Sequence, residues 1–414
     1  MDRDLERVKT WIEERAGDMG NLLSKLIELN TENPPGRNLG RCAEILRAEM
    51  DGLGLEPEIL RVPPRPGLED PSVVRGTAGH GPRLIYFHGH FDVVPAQDPD
   101  QFVAKRRNGR VVGRGAADMK GGIVSMLYGA AAAKRLGLIQ NGRIVIHLVC
   151  DEETGSVAGS GHLRDSGLID ANALAMVTAE PSSGHVWNAA RGAISLRVTV
   201  QGREAHVGHA NLGVNAFEHM IGIARAIEPY VREMAERDTQ LAMDSADVRG
   251  SMVVVGGLSG SGSSFNAVPG SAWFTVDGRL NPEENLGREL ERMTVLIEQA
   301  AHAIGAEVKV EVIQFQPPAI RCPAGPASDA LSRCIQMVEG FPAPFELCPG
   351  ILENRWYSQL GIPAFAFGAG GLDVAHGPEE FIDEAKMRRC AQTYALFARE
   401  MLAHPRSTKE PGGE

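Results

Sequence analysis

The stretch LIYFHGHFDVVP, from Leu84 to Pro95, indicates both the fold of the chain and the position of its functional site. It begins with four apolar, β-prone residues, which predict a buried strand. It ends with His90 and Asp92, whose side chains point to the same side of an extended backbone because they are two residues apart. Open α/β sheets bind their ligands at this end of their strands. The pair suits a metal-binding histidine held by a carboxylate, although H-x-D alone is also typical of ordinary polar residues.

Apolar strands alternate with helical segments on both sides of this stretch. Ile123 to Leu138 is an Ala-rich helical pattern, and Arg143 to Cys150 (RIVIHLVC) is a continuous apolar run typical of a strand buried on both faces. Another apolar strand is predicted from Ala173 to Thr178. This alternation predicts an α/β fold with a mostly parallel sheet flanked by helices on both faces.

The pattern changes near Gly192, where short alternating strands and two helices predict a smaller inserted α+β unit. Within it, Gly256 to Ser264 (GGLSGSGSS) has the composition of a flexible loop. The predicted organisation is a discontinuous catalytic domain (1–191 and 316–404), an inserted domain (192–315) and a tail (405–414).

The composition excludes several classes of partner. The chain has 414 residues, with 42 basic and 53 acidic side chains and a net charge of −11. Because it contains no basic run, we expect no nucleic-acid partner. Because no apolar run is long enough to cross a bilayer, we expect no membrane partner. Six scattered cysteines without a C-x-x-C pair, and a charged N-terminus without a signal peptide, predict a cytoplasmic protein with reduced thiols.

Acidic and imidazole residues follow the predicted strands and Gly-rich turns of the larger domain. They are His90 with Asp92, Asp118, Glu152 with Glu153, Glu180 and His376. Carboxylates gathered at one sheet edge repel one another unless they bind cations, and two histidines with three carboxylates suit two divalent ions. The DEE triplet alone is more typical of a solvated acidic loop.

The segments GHFDVVP, GRGAADMKGG, DEETGS, AEP and VAHGPEEF resemble, in order and spacing, those of the dinuclear-zinc M20-type amidohydrolases. That family includes acetylornithine deacetylase, succinyl-diaminopimelate desuccinylase, aminoacylase-1 and the glutamate-releasing carboxypeptidase G. The resemblance covers nearly the whole chain. It implies a zinc-exopeptidase-like catalytic domain with a ferredoxin-like lid and dimerisation domain, and hence a homodimer.

The resemblance also implies a set of metal ligands. Asp118 bridges two metals, His90 and Glu180 complete one site, and Glu153 and His376 complete the other. The metals are two divalent ions, zinc above all, with cobalt or manganese also suited to such ligands. The peptide bond after Asp118 is expected to be cis.

The catalytic roles implied by the resemblance fall on three further residues. Glu152 matches the general base, which takes a proton from a metal-bridged water and returns it to the leaving amine. Asp92 matches the carboxylate that orients His90. His206, in GREAHVGHANLGVNA, matches the histidine that stabilises the oxyanion, commonly across a dimer interface. The usual Ser-Ser after that histidine is replaced by Val207-Gly208.

Four further residues match family positions that contact substrate. Asn266 and Arg279 match residues that hold a substrate, often by its carboxylate, which an Arg fork binds well. Arg279 can also be interpreted as a surface charge at a strand end. Gly368 and Gly370 match a turn that offers backbone N–H groups to the substrate.

The segment Gly350 to Trp356 (GILENRW) departs from the G-T-S-D-x-R-F of desuccinylases. Ile351 and Leu352 replace the two hydroxyl residues, whereas an acid at Glu353 and the substrate-binding Arg355 are kept. The change predicts a less polar acyl or amine moiety in the substrate.

These patterns predict a metal-dependent hydrolase of an amide C–N bond in a small, carboxylate-bearing molecule such as an N-acyl amino acid. Three alternatives stay open. They are a dipeptidase or glutamate-releasing carboxypeptidase, a hydrolase of a non-amino-acid amide or aromatic amine, and a non-catalytic metal-binding relative.

Overall fold

The structure is a computed structural model, and it describes residues 2–243 and 248–403. Internal contacts divide the chain into two compact units. Of the described residues, the first comprises 2–188, 322–345 and 356–403, and the second comprises 189–243, 248–321 and Glu346–Arg355. The predicted inserted domain, 192–315, lies within the second unit. The segment Glu346–Arg355, which the sequence placed in the catalytic part, also belongs to the second unit, and the predicted tail lies outside the described residues.

The described residues form strands and helices with the following bounds. The strands are β1 Glu58–Arg61, β2 Ser72–Ala78, β3 Arg83–His90, β4 Lys105–Arg107, β5 Arg110–Val112, β6 Gly142–Val149, β7 Ala175–Thr178, β8 Val186–Ala190, β9 Gly192–Gln201, β10 Ala205–His206, β11 Met252–Ser261, β12 Ala267–Val268, β13 Ser271–Leu280, β14 Glu307–Gln316, β15 Phe345–Cys348, β16 Ala364–Ala366 and β17 Phe381–Asp383. The helices are α1 Arg3–Glu13, α2 Ala16–Ile27, α3 Leu39–Gly52, α4 Gly121–Arg135, α5 His162–Asp165, α6 Ala216–Ala226, α7 Glu228–Ala235, α8 Leu286–Ala303, α9 Pro326–Glu339, α10 Asn354–Ser358 and α11 Glu384–Leu402.

An eight-stranded sheet runs in the order β1-β2-β6-β3-β7-β16-β8-β15. Its four central strands, β6, β3, β7 and β16, are mutually parallel. Antiparallel pairs lie toward its edges. The predicted α/β fold with a mostly parallel sheet is thereby confirmed.

The central strand β3 is covered on both faces. Ile85 and Phe87 belong to the cluster that contains the apolar residues of α4 and α11. Leu84 and Tyr86 belong to a second cluster, with Leu163 of α5 among its members. Gly129 lets α4 lie close to α11, since a Cβ added there would stand 2.7 Å from the carbonyl oxygen of Ala391. The strand therefore reaches its carboxyl end as a rigid element.

The second unit is built on an antiparallel sheet in the order β11-β13-β9-β14. Strand β9 buries every second residue, Ile194, Leu196, Val198 and Val200, in a cluster shared with α6, α7 and α8. This is the half-buried α+β arrangement that the alternation predicted.

The predicted flexible loop at Gly256–Ser264 is wrong for most of its length. Strand β11 continues to Ser261 and pairs with β13, with an irregularity in register between Val255 and Ser259. Gly256 has φ of +81° at that irregularity, a conformation that favours glycine. Pairing with a strand distant in sequence outweighs the local composition, and no local signal reports such a partner.

No helix of residues 2–243 and 248–403 is long and apolar enough to cross a membrane.

Candidate metal centre

The predicted ligands lie where parallel strands end. Strand β3 ends at His90, and β7 is followed by Glu180. Strand β6 is followed by a one-turn 3₁₀ helix, Glu152–Thr154, which carries Glu153. Because β6, β3 and β7 are neighbours in the sheet, their carboxyl ends meet at one edge.

Two groups of side chains come together at this edge. In the first group, His90, Asp118 and Glu180 each bring a ligand atom within 4.8 Å of the others. In the second group, Asp118, Glu153 and His376 do the same. The structure thus brings together all five residues that the sequence analysis assigned as ligands.

Asp118 belongs to both groups through different oxygens. Its Oδ1 lies 3.2 Å from Nε2 of His90, and its Oδ2 lies 3.2 Å from Nε2 of His376. Glu180 Oε2 lies 3.9 Å from the same His90 nitrogen, and Glu153 Oε1 lies 3.5 Å from the same His376 nitrogen. This is the arrangement of a carboxylate that bridges two cations. The Asp118–Met119 peptide bond is cis, as expected.

Asp92 is buried beneath the site and has contacts with three chain segments. Nδ1 of His90 lies 3.0 Å from the backbone oxygen of Asp92 and 3.4 Å from its carboxylate. The carboxylate oxygens accept the backbone N–H groups of Glu152 and Glu153, both at 3.1 Å. Oδ2 also accepts Nδ2 of Asn33 at 2.9 Å. Asp92 therefore orients His90 largely through its backbone, and its carboxylate holds the 152–153 turn.

The electrostatics are those of imidazoles surrounded by carboxylates. The carboxylates of Asp118 and Glu153, 3.2 and 3.5 Å from Nε2 of His376, raise the pKa of His376 to about 10. Burial lowers the pKa of His90, but Asp118, Asp92 and Glu180 outweigh it and hold that pKa well above its usual value. Burial raises the pKa of Glu153. The pocket thus concentrates negative charge that attracts cations.

The donor set fits divalent metal ions. Imidazole nitrogens and carboxylate oxygens suit zinc, cobalt and manganese. The Glu153 side chain is only 7% exposed, and its Oε1 accepts no hydrogen bond from residues 2–243 or 248–403. A buried carboxylate oxygen without a hydrogen bond is costly unless it faces a cation. The low exposure of the Glu153 side chain argues against the alternative of a solvated acidic loop at this residue.

Two neighbours of this site, Arg114 and Glu380, were not identified from the sequence as functional. Glu380 is buried and accepts the backbone N–H groups of Ala117 and Asp118 at 2.9 and 3.0 Å. Arg114 is buried and donates Nη1 to Glu380 at 2.7 Å. The available signal was their position inside two of the quoted motifs, GRGAADMKGG and VAHGPEEF.

In the second unit, the structure brings His206 and Asn266 together. Strand β10 pairs with β12, with His206 opposite Ala267. The N–H of Val207 donates to the backbone oxygen of Asn266 at 3.0 Å. His206 is exposed, and its Nδ1 accepts the N–H of Gly208 at 3.1 Å.

Arg279 and Arg355 differ in their surroundings. Arg279 lies on β13, about one third exposed, and its Nε is 3.1 Å from Oδ2 of Asp277. Arg355 is 1% exposed, and its Nη1 donates to the backbone oxygen of Leu352 at 2.8 Å. Of the two arginines, Arg279 is the one open to solvent.

Gly368 and Gly370 are required by close backbone approach. A Cβ at Gly368 would stand 2.2 Å from the oxygen of Ala179, and a Cβ at Gly370 would stand 2.5 Å from the oxygen of Ala117. The N–H of Gly368 donates to Oγ of Ser182 at 3.1 Å. That N–H is committed within the protein, which runs against the prediction that Gly368 offers it to a substrate. The physical role visible here is to let this turn lie against the strand end that carries Glu180.

Comparisons with known proteins agree with this geometry. Residues 86–400 match the sequence profile described as peptidase family M20/M25/M40. A succinyl-diaminopimelate desuccinylase of Bordetella petrii is 28% identical over 342 residues, which cover 79% of this chain and 84% of the relative. An N-formyl-4-amino-5-aminomethyl-2-methylpyrimidine deformylase of Halalkalibacterium halodurans is 21% identical over 420 residues, which cover 96% of this chain and 97% of the relative.

Among solved structures, human carnosine dipeptidase 1 has the same fold. It superposes with a TM-score of 0.79 at 18% identity, covering 97% of this chain and 99% of that one.

Proposed function

Because this chain belongs to peptidase family M20/M25/M40, whose members hydrolyse amide bonds with the help of metal ions, we propose that it is a deacylase of an N-acyl amino acid or a closely related small molecule. The observation that carries the proposal is the position of Asp118, whose two oxygens each lie 3.2 Å from a different histidine. A single carboxylate placed in this way serves two cations at once. The proposed metals are two Zn²⁺ ions, and Co²⁺ or Mn²⁺ also suits the donor set.

In this proposal His90, Asp118 and Glu180 hold one ion, and Asp118, Glu153 and His376 hold the other. When bound, such ions acidify water and polarise an amide carbonyl. The fold of the chain positions the ligands: strand β3 ends at His90, and the one-turn helix after β6 carries Glu153.

Glu152 is proposed as the general base. It precedes the ligand Glu153 in the same turn, and its backbone N–H is held by the buried carboxylate of Asp92. Its half-buried side chain can then take a proton from the attacking water and return it to the leaving amine. All five proposed ligands and Glu152 are present, which argues against a non-catalytic relative.

His206 is proposed to stabilise the oxyanion, together with Asn266 beside it. The exposed position of His206 supports a role toward a second copy of the chain, because an exposed side chain is free to enter another subunit's site. The proposal therefore includes a homodimer in which each subunit completes the site of its partner.

The substrate is proposed to bear a carboxylate, which Arg279 would bind through its guanidinium. Ile351 and Leu352 favour an acyl or amine moiety of low polarity. The six cysteines, all free and buried, support the further proposal that the protein is cytoplasmic.

Two other substrate classes are supported by named relatives. Similarity over nearly its whole length to a deformylase of a pyrimidine compound favours a non-amino-acid amide. A dipeptide is the second alternative, because this chain shares its fold with human carnosine dipeptidase 1.

Hydrolysis of a substrate panel by the metal-reconstituted protein, with Glu152→Ala alongside, tests the proposal. The panel holds N-acetyl, N-succinyl and N-formyl amino acids, dipeptides, glutamate conjugates and N-formyl amines. We expect turnover of an N-acyl amino acid, reduced about 10²–10⁴-fold in Glu152→Ala while metal content is unchanged. Turnover of dipeptides or N-formyl amines alone would instead select one of the alternatives. Unchanged turnover in the variant would remove Glu152 from the mechanism.

A further inference from the structure

The two metal-binding groups are supported in very different ways. His90 is 1% exposed, lies on the central strand β3, and has its ring held by the backbone oxygen of Asp92. His376 lies in a turn between β16 and β17, and its side chain is 50% exposed. Its φ of +61° is a left-handed conformation that a non-glycine residue keeps only where surrounding contacts impose it. The position of His376 therefore depends on contacts outside its own side chain.

Some of those contacts come from Gln101, whose Nε2 donates to the backbone oxygens of Gly377 and Pro378 at 3.0 and 3.2 Å. The others come from Arg114 and Glu380, which we call the clamp. Nη2 of Arg114 donates to the backbone oxygen of His376 at 3.3 Å. Nη1 of the same guanidinium donates to Oε2 of Glu380 at 2.7 Å, and both side chains are at most 1% exposed. A guanidinium fork can make both bonds at once because its donors are fixed in one plane. The clamp thus holds the backbone of His376 from one side.

The other side of the clamp holds the segment that carries Asp118. Oε1 of Glu380 accepts the N–H groups of Ala117 and Asp118, and Oε2 also accepts the N–H of Gly115 at 3.1 Å. The backbone oxygen of Glu380 accepts the N–H of Gly113 at 2.9 Å. A single buried residue, Glu380, therefore holds the backbone of the turn before Asp118 by hydrogen bonds.

We propose that Arg114 and Glu380 are positioning residues that set the separation of Asp118 and His376, and so control metal binding at the second group more than at the first. The inference rests on the proposed function in that both groups bind metal. Without the clamp, the backbone of His376 loses the side-chain bonds that join it to the backbone of Asp118, whereas β3 still holds His90. Loss of the clamp should therefore produce a protein that keeps one ion and binds the other weakly.

Cobalt titration of the full-length protein tests this, with affinities measured by competition with a chelator and coordination followed by visible absorption. The wild-type protein should bind two ions per chain; binding of none or only one would overturn the proposed function itself, whatever the clamp does. In Glu380→Gln we expect the first ion to bind as in wild type and the second about 10–100-fold more weakly. Arg114→Lys, which keeps the charge but loses the fork, should shift the second affinity in the same direction.

Controls identify which of the two groups loses metal affinity, and they distinguish this loss from misfolding of the variant. Glu379→Gln changes the exposed neighbour of Glu380 and should bind both ions as wild type does. Glu180→Gln removes a ligand of the first group, so Glu180→Gln/Glu380→Gln should bind both ions weakly. Circular dichroism and thermal unfolding of the metal-free forms check the fold, and Arg114→Lys carries the test if Glu380→Gln does not fold. The proposed role of the clamp would be overturned if both ions bound equally more weakly, or if Glu380→Gln and Arg114→Lys bound both ions with wild-type affinity.

Discussion

The Asp92 carboxylate accepts the backbone N–H of Glu152 across 60 residues of sequence, with 3.1 Å between Oδ1 and N. The same residue holds Nδ1 of His90 with its backbone oxygen, at 3.0 Å. Asp92 therefore fixes the relative positions of a proposed ligand and the proposed base. In metal sites, residues that hydrogen-bond to the metal ligands fix the orientation of those ligands.

Replacing Asp92 by Asn tests this link. The amide keeps the shape of the side chain, but its NH₂ group cannot accept the N–H of Glu153 or Nδ2 of Asn33 on the same side. We expect activity about 10–100-fold below wild type, with a smaller change in affinity for the first ion. Steady-state kinetics and metal analysis measure both effects. Full activity in Asp92→Asn would show that the bonds from Glu153 and Asn33 to Oδ2 are not needed to position the base.

Metal removal should destabilise the first unit, and this destabilisation should be absent when Asp118 is replaced. Ions that bind only the folded state add about 2.7 kcal/mol at a concentration 100-fold above Kd. We expect a chelator to lower the unfolding temperature of the wild-type protein, and Asp118→Asn to show no response to metal. Calorimetry with and without Zn²⁺ measures the difference. A metal-dependent unfolding temperature in Asp118→Asn would contradict the bridging assignment.

Subunit complementation tests whether His206 acts across a dimer. His206→Ala and Glu152→Ala should each be inactive as pure proteins. If His206 serves the partner's site, random exchange makes half of the dimers mixed, and each mixed dimer has one complete site, giving about a quarter of wild-type activity. Recovered activity after mixing is the measurement. An inactive mixture that contains mixed dimers by mass spectrometry would place His206 in its own subunit's site.

The second unit carries a pH-dependent ion-pair network at Glu233. Hydrogen bonds with Arg292 and then Arg237 lower the pKa of Glu233 from 4.5 to about 2. A depressed carboxyl pKa adds stability above the unfolded value, and that stability is lost as the pH falls from about 4.5 toward about 2. Since the Glu233 side chain is 44% exposed, we expect Glu233→Gln to lose only about 0.5–1 kcal/mol at pH 7.

Urea unfolding at pH 7, 5 and 3 measures this loss, and the difference from wild type should shrink at pH 3. Glu228→Gln, on the same helix and 3.6 Å from Arg232, is the control and should change stability less. A difference that grows as the pH falls would contradict the sign of the predicted effect.

Much of the site was predictable because its residues end strands that have clear local patterns. The apolar run before His90 and the run before Glu152 each identify a strand, and in a parallel sheet such ends share an edge. The roles of Glu152 and Glu153 came from the family resemblance, because two adjacent carboxylates look alike in sequence. Strand β11 shows the opposite case, since Gly256–Ser264 looks like a loop until its pairing with β13 is known.

By itself, the sequence predicted the α/β class and an inserted unit, because hydrophobic periodicity is a local property of the chain, and the family resemblance of its motifs added the five proposed ligands. Only the tertiary structure decided how those residues are held. The contacts of Glu380 with the turn before Asp118, and of Arg114 with His376, join segments more than 250 residues apart. Such bonds form only after the strands and helices have packed, because they depend on distances that no local pattern encodes.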